Sequence, residues 1–276
     1  MMLGALIIVF REAIEAGLIV GIVLAVTRGL AHARTYVFAG VCAGAGGAAL
    51  VALFADALSK SFSGNGQELF NAGILALAVI MLAWHNIWMS RHGRELSQQL
   101  SSVGRAVASG ERTLFALASV VGLAILREGS EVALFLYGVV ASGETGYDVF
   151  LGGLLGLALG AAVSFATFYG LVKIPPRHLF FVTSWLITFL AAGLAAQSAA
   201  FLQQAGVVTL FTETLWDTSW ALPDKTILGR VLHTLIGYSD QPSLLQGLVY
   251  LSTLILIYAA TKFTQLRPRL EPRLSP

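Results

Sequence analysis

Phe10-Arg11-Glu12-Ala13-Ile14-Glu15-Ala16 places three ionisable side chains inside a run that is otherwise apolar from Leu3 to Val26. The run is long enough for a helix to cross the hydrocarbon of a bilayer, which takes about 20 apolar residues. On such a helix Glu12 and Glu15 are i,i+3 neighbours and Arg11 and Glu15 are i,i+4 neighbours, so all three share one face. A charge at the centre of a membrane helix costs about 2.5–3.5 kcal/mol on insertion scales, so it rarely stands there without a task. The same signature returns as Arg127-Glu128-Gly129-Ser130-Glu131, again within an apolar run. Two such costs in one chain call for a common explanation.

The rest of the chain agrees with a membrane setting. Of 276 residues, 57% are apolar and 12% are charged, against about 25% charged in soluble domains. The net charge of +2 gives no argument for nucleic acid. A lone cysteine, Cys42, excludes an internal disulfide and a cysteine-built metal cage. The first apolar run lacks a basic leader and carries its own charges, so it reads as a retained spanning helix and not a cleaved signal peptide.

Seven runs qualify as spans: 3–26, 36–57, 69–89, 114–141, 148–172, 179–203 and 244–262. The expected fold is an all-α integral membrane protein with seven transmembrane helices, forming a single membrane domain over 1–276. With the N-terminus outside, the inner segments hold Arg28, Arg34, Arg91, Arg94, Arg105, Arg112, Lys173, Arg177, Lys262, Arg267, Arg269 and Arg273. The outer segments hold only Lys60, Lys225 and Arg230. That bias places the C-terminus in the cytoplasm. Acidic residues skew the other way, with Asp56, Glu68, Glu144, Asp148, Glu213, Asp217, Asp224 and Asp240 at or near the outer face. A solvated surface explains each singly; together they would concentrate a cation.

The chain also repeats itself. Arg11, Glu12 and Glu15 map onto Arg127, Glu128 and Glu131 at an offset of 116, and the same offset carries Gly40 and Gly44 onto Gly156 and Gly160. Residues 1–113 and 114–203 then form two three-helix units, followed by an outer loop (204–243) and a last helix with its tail (244–276). Three spans is an odd number, so the second unit enters the membrane inverted. This 3+3 inverted repeat plus one C-terminal helix is an arrangement whose sites lie near the midplane between the halves. The glycines at Gly17-x3-Gly21, Gly40-x3-Gly44 and Gly152-x3-Gly156-x3-Gly160 let backbones approach closely. They are expected to bring the two motif helices together.

Four intramembrane glutamates against two arginines leave a surplus of two negative charges. Hydrocarbon does not tolerate that surplus, so the glutamates take up protons or a cation supplies the charge. Carboxylates are hard oxygen donors suited to hard cations, and a small, highly charged Fe3+ is a natural partner for two carboxylate pairs. Arg11 and Arg127 are each expected to hold a carboxylate of their own helix by charge-assisted hydrogen bonds. A purely structural ion pair explains one glutamate per motif and leaves the other over. His85, in Trp84-His85-Asn86, reads as a hydrogen-bonded interface residue near the cytoplasmic end of the third span. Glu68 and Asp217 join it as further pathway candidates, although both also fit exposed positions. Gln197, Ser198, Gln203 and Gln204 make the sixth span polar toward its outer end, where they would line a path.

Two Arg-Glu-(Gly/Ala)-x-Glu motifs at equivalent spans resemble the oxidase-dependent iron permease family, including its EfeU-like bacterial members. The stretches Trp216-Asp217-x2-Trp220-x-Leu222-Pro223 and Gly229-Arg230-x-Leu232-His233-x-Leu235-x-Gly237-Tyr238 are similar to the family's segment before its last helix. Ala13 stands where the family often has glycine. The resemblance implies an iron permease of the bacterial inner membrane, with Glu12, Glu15, Glu128 and Glu131 handling iron as transported substrate and no permanently bound cofactor. It also implies separate partners: an extracytoplasmic oxidase or peroxidase and an iron-delivery protein. Fe3+ is expected ahead of Fe2+, although carboxylate chemistry alone does not choose between them and the resemblance selects only iron. A carrier of Mn2+, Pb2+ or protons would use the same carboxylates. An intramembrane enzyme is disfavoured, because the five histidines form no His-Glu-x-x-His pair and no Gly-x-Ser-x-Gly elbow is present.

Overall fold

A computed structural model describes residues 2–61, 67–170 and 176–266. Lys173, Arg267, Arg269, Glu271 and Arg273 lie outside the described residues, as do the side chains of Asp56, Lys60, Arg91, Arg94, Arg177 and Arg230. The chain is all-helical: α1 (Met2–Val26), α2 (Ala33–Ser61), α3 (Gln67–Ala108), α4 (Leu114–Ala141), α5 (Gly146–Phe168), α6 (Pro176–Gln204), α7 (Ile227–Ile236) and α8 (Leu244–Leu266). Among the described residues, five helices are apolar and long enough to cross a membrane: stretches of α2, α3, α5, α6 and α8. α1 and α4 have the length, with 25 and 28 residues, but each carries three ionisable side chains in mid-helix.

Two elements depart from the sequence expectation. The third helix does not stop near Met89 but continues to Ala108, 42 residues in all, so that most of the polar stretch expected as an inner loop or a separate surface helix prolongs it. Its Ser, Gln and Arg residues are acceptable on a helix that emerges into water, where no apolar face is required of them. The expected outer loop contains α7, which is bounded at both ends by its own sequence. Thr226 caps it by accepting from Gly229 N at 3.0 Å. Gly237, at φ +68°, ends it in the left-handed conformation that glycine adopts without cost.

Burial sorts the helices. α1 is central, with Arg11, Glu12 and Glu15 among its buried residues. α2, α5 and α8 turn large apolar side chains outward, including Leu53, Phe54, Leu154, Phe165, Leu251 and Ile255. Two apolar clusters bracket the charged level of the bundle. One holds Ala5, Ile8, Leu75, Leu82, Phe135 and Leu190; the other holds Ile19, Val23, Val37, Leu100, Leu117 and Val121.

The glycine ridges join different helices from those expected. They seat α5 on α1 and α2 on α4, and do not join α1 to α4 directly. A Cβ at Gly156 would lie 2.5 Å from Leu6 O and 2.9 Å from Phe10 N; one at Gly44 would lie 2.5 Å from Gly122 O and 2.9 Å from Leu126 N. A Cβ at Gly160 would meet that of Ala13 at 2.6 Å, and one at Gly129 would meet that of Ala48 at 2.6 Å. Contact for contact, the motif helices correspond at an offset of 116 and the glycine helices at 112. Gly44 therefore pairs with Gly156, one helical turn from the match made on sequence spacing alone.

Candidate metal centre

The charged level is assembled from three helices, each fixed before its polar group is presented. α1 is held by α5 through the glycine contacts, and α4 by α2 in the same way. α3 is tied to α6 by a buried polar stitch. Asn86 Nδ2 donates to Thr188 Oγ1 at 3.0 Å, Ser184 Oγ donates to Asn86 Oδ1 at 2.7 Å, and Ser198 Oγ donates to Ala72 O at 2.8 Å. The stitch sets the register of α3, and the next residue along from Asn86 is His85.

His85 is 2% exposed and lies among the motif glutamates, not at a membrane surface. Its Nε2 is 3.5 Å from Glu15 Oε2 and 3.7 Å from Glu12 Oε2, while Nδ1 touches Glu131 Oε2. Each arginine holds carboxylates of its own helix, as the sequence leads one to expect. Arg11 lies 3.1 Å from Glu15 Oε1 and 3.4 Å from Glu12 Oε1. Arg127 Nε donates to Glu131 Oε1 at 3.0 Å, and its guanidinium stacks on the Trp88 ring at 4.4 Å. Glu128, 3% exposed, is the motif glutamate with no arginine partner among the described ion pairs.

One ligand atom from each of Glu12, His85, Glu128 and Glu131 lies within 4.8 Å of the others. Oε2 of Glu12 and Oε2 of Glu128 are buried acceptors with no hydrogen-bond partner. Buried polar atoms without partners are uncommon and call for an occupant. Three carboxylates and an imidazole suit a first-row transition-metal cation, with oxygen donors in the majority. Glu15 stands beside this set, bound by Arg11 and facing His85.

A cavity of about 660 Å³ adjoins the cluster between α1, α2, α4 and α5. Its walls are apolar, including Val20, Leu24, Val41 and Phe168, and Glu12 and Glu128 are the acidic groups among its lining. A dry-walled space thus reaches two of the four donors directly.

The other pathway candidates are elsewhere. Glu68 is exposed in the first turn of α3. Asp217 is exposed in the segment before α7, where its Oδ1 accepts from Ser219 Oγ at 2.6 Å and from Ser219 N at 3.0 Å. Those two hydrogen bonds hold its carboxyl below the ordinary aspartate value. Of the polar residues near the end of α6, Ser198 ties α6 to α3 and Gln203 binds Ser243 at 2.8 Å. Gln197 does line a cavity.

The same segment is fastened by a reciprocal aspartate clasp. Asp224 N donates to Asp240 Oδ2 and Asp240 N donates to Asp224 Oδ1, both at 3.0 Å. Partial burial, reinforced by the Asp240 carboxylate, pushes the Asp224 carboxyl up from 3.8. Ionising a group whose pKa is raised by folding costs stability above the raised value and nothing below the unfolded one. Asp224→Asn keeps the acceptor and removes the charge. It is expected to raise Tm slightly at pH 7 and to leave it unchanged near pH 3, as differential scanning calorimetry in detergent would register.

The chain is 30% identical over 258 residues to the ferrous iron permease EfeU of Escherichia coli O6:H1 (strain CFT073), covering 90% of this chain and 91% of that protein. It is 30% identical over 252 residues to the ferrous iron permease EfeU of Yersinia pestis, covering 90% and 89%. A relative from Escherichia coli K12, 30% identical over 258 residues, is named a putative inactive ferrous iron permease EfeU. No solved structure matches. The profile of the iron permease FTR1 family matches residues 2–270. This multi-pass helical membrane protein, a transporter and not an enzyme, belongs to the iron permease FTR1 family.

Proposed function

We propose that the chain carries iron inward across the cytoplasmic membrane through the buried site between α1, α3 and α4. The observation that carries this reading is the approach of Glu12, His85, Glu128 and Glu131 donors to within 4.8 Å, with orphaned carboxylate oxygens among them. Glu15 completes the motif pairs as an exchange ligand, released from Arg11 as the cation moves. Arg11 and Arg127 limit the negative charge of the unloaded site and orient the carboxylates.

The topology belongs to the same proposal. α1 and α4 join the five apolar helices to give seven spans, since 25 helical residues reach about 37 Å. The matching backbone contacts at Gly44 and Gly156, 2.5 and 2.9 Å in each half, support a 3+3 inverted repeat plus α8. The basic-residue bias puts the N-terminus outside and the C-terminus in the cytoplasm of a bacterial inner-membrane protein. The 660 Å³ cavity then opens from Glu12 and Glu128 toward the inner end of α1, on the release side. An oxidase or peroxidase and an iron-delivery protein would act on the outer face.

The donor set bears on the oxidation state. Carboxylates alone do not choose between Fe3+ and Fe2+. His85 adds a borderline nitrogen donor that suits Fe2+, and the relatives named above are called ferrous iron permeases. Uptake into proteoliposomes of labelled iron held reduced by ascorbate, against chelated Fe3+, separates the two. Mn2+ and Pb2+ added as competitors test the alternative cargoes. His85→Ala is expected to weaken metal affinity by roughly 10–100-fold, the scale associated with lost metal-site support. Unchanged affinity in a fluorescence-quenching titration would remove His85 from the site.

A further inference from the structure

A second, smaller cavity sits at the other end of the bundle. Its volume is about 30 Å³, and its lining includes Gly4 of α1, Ser142 and Glu144 beyond α4, Gln197 of α6 and His233 of α7. That is room for one ion or one water and little else. Three features shape it for a cation.

The first is the state of the histidine. His233 Nδ1 lies 2.6 Å from the carbonyl oxygen of Tyr238. A carbonyl only accepts, so Nδ1 carries the proton of that bond. In the neutral ring Nε2 then presents a lone pair, the arrangement in which a metal-binding histidine is oriented by its other nitrogen. The second is the mounting of α7. A Cβ at Gly193 would lie 2.8 Å from Gly237 Cα, so α7 ends with its backbone against α6, one turn past His233. The third is alignment with the buried site. Gly4 precedes Glu12 by eight residues on α1, and Val139 follows Glu131 by eight on α4, about 12 Å along either helix. Between the two levels stand Ala5, Ile8, Phe135 and Leu190, packed in one apolar cluster. Small cavity, dry plug and carboxylate cluster are stacked along the same pair of helices.

We propose that this cavity is a second cation subsite, an outer antechamber in which His233 Nε2 and the Glu144 carboxylate bind a first-row divalent cation such as Fe2+ before it passes the plug. Gln197 and Ser142 supply neutral oxygens to the same space. The proposal rests on the transport reading above, and it explains why the segment before α8 is folded and fastened over the bundle. It gives the incoming ion an imidazole and a carboxylate in exchange for its water before it meets the buried donors.

The test uses the full chain, purified in detergent, with Mn2+ as the spin probe. In a Glu12→Gln/Glu128→Gln background, the buried site is disabled, and about one equivalent of Mn2+ is expected to remain bound. Adding His233→Ala and Glu144→Gln is expected to remove it. In the otherwise native chain, H233A is expected to raise the KM for Fe2+ uptake roughly tenfold with Vmax within about twofold. If H233A lowers Tm, E144Q carries the same reading, because its residue lies outside the helices and keeps its size. Residual binding that survives H233A/E144Q, or an unchanged KM in both single variants, overturns the antechamber. Those outcomes leave the main reading standing. Uptake that persists in E12Q/E128Q overturns the main reading instead.

Discussion

Replacing Glu128 with glutamine is expected to lower iron uptake by about 100-fold or more while leaving the folded protein at least as stable as its parent. The two halves of this result have one cause. Glu128 is buried, has no arginine partner among the described residues, and has an oxygen without a hydrogen-bond partner there. Glutamine keeps its size, so no cavity opens, and removes a charge that burial makes costly. A carboxylate serving only as structural glue gives the opposite pattern, since breaking a buried pair costs about 3–5 kcal/mol. Glu15 supplies that contrast within the same site. Glu15→Gln strips Arg11 of its 3.1 Å partner and is expected to lower Tm. Uptake of labelled iron in proteoliposomes, read beside thermal denaturation, separates the two roles. If E128Q lost stability and kept transport, the assignment of Glu128 as a ligand would be wrong.

The second large effect is steric. Gly156→Leu is expected to lower Tm by several degrees and to abolish uptake, although the nearest atoms to a Cβ there, Leu6 O, Phe10 N and Val9 Cβ, belong to no charged side chain. A Cβ there would press on Leu6 O and Phe10 N, backbone atoms of a helix that cannot yield locally. Overpacking of this kind costs about 1–3 kcal/mol or more. Forcing α5 from α1 also shifts Glu12, two residues beyond Phe10, relative to His85 and Glu128. Gly44→Leu is expected to give a matching loss, because it meets Gly122 O and Leu126 N at the same distances. Unchanged Tm and uptake in G156L would mean that the α1–α5 contact is looser than described. Strongly unequal losses in the two variants would undo the pairing of Gly44 with Gly156.

Much of this was legible in the sequence, for identifiable reasons. Arg11, Glu12 and Glu15, with their copies at 127, 128 and 131, stand out because hydrocarbon makes charge rare. α4 occupies Leu114–Ala141, the range its apolar run gives. His85 was legible as a pathway candidate but not as a donor beside the motif glutamates. A histidine in an apolar helix looks the same whether it satisfies a neighbour or faces a metal. Ending the third span near Met89 also put His85 at a membrane surface, whereas the helix continues to Ala108. The polar triplet around Trp84-His85-Asn86 was the available signal, because Asn86 binds α6 and thereby turns His85 inward. The glycine ridges announced close packing but not their partners. A ridge of small residues says that something approaches, and a one-turn slip leaves its spacing intact.

The pairing of α1 with α5 also sets an order of events during synthesis. α1 is made well before its close partner, which begins only at Gly146. At about 5–20 residues per second, α1 waits roughly 6–24 s for α5, whereas α3, whose His85 faces Glu12 and Glu15, is made sooner. The Arg11–Glu15 contact lies within α1 and needs no other helix. It can form as soon as that turn winds, and so shelters part of the charge of a helix whose companions have not been translated.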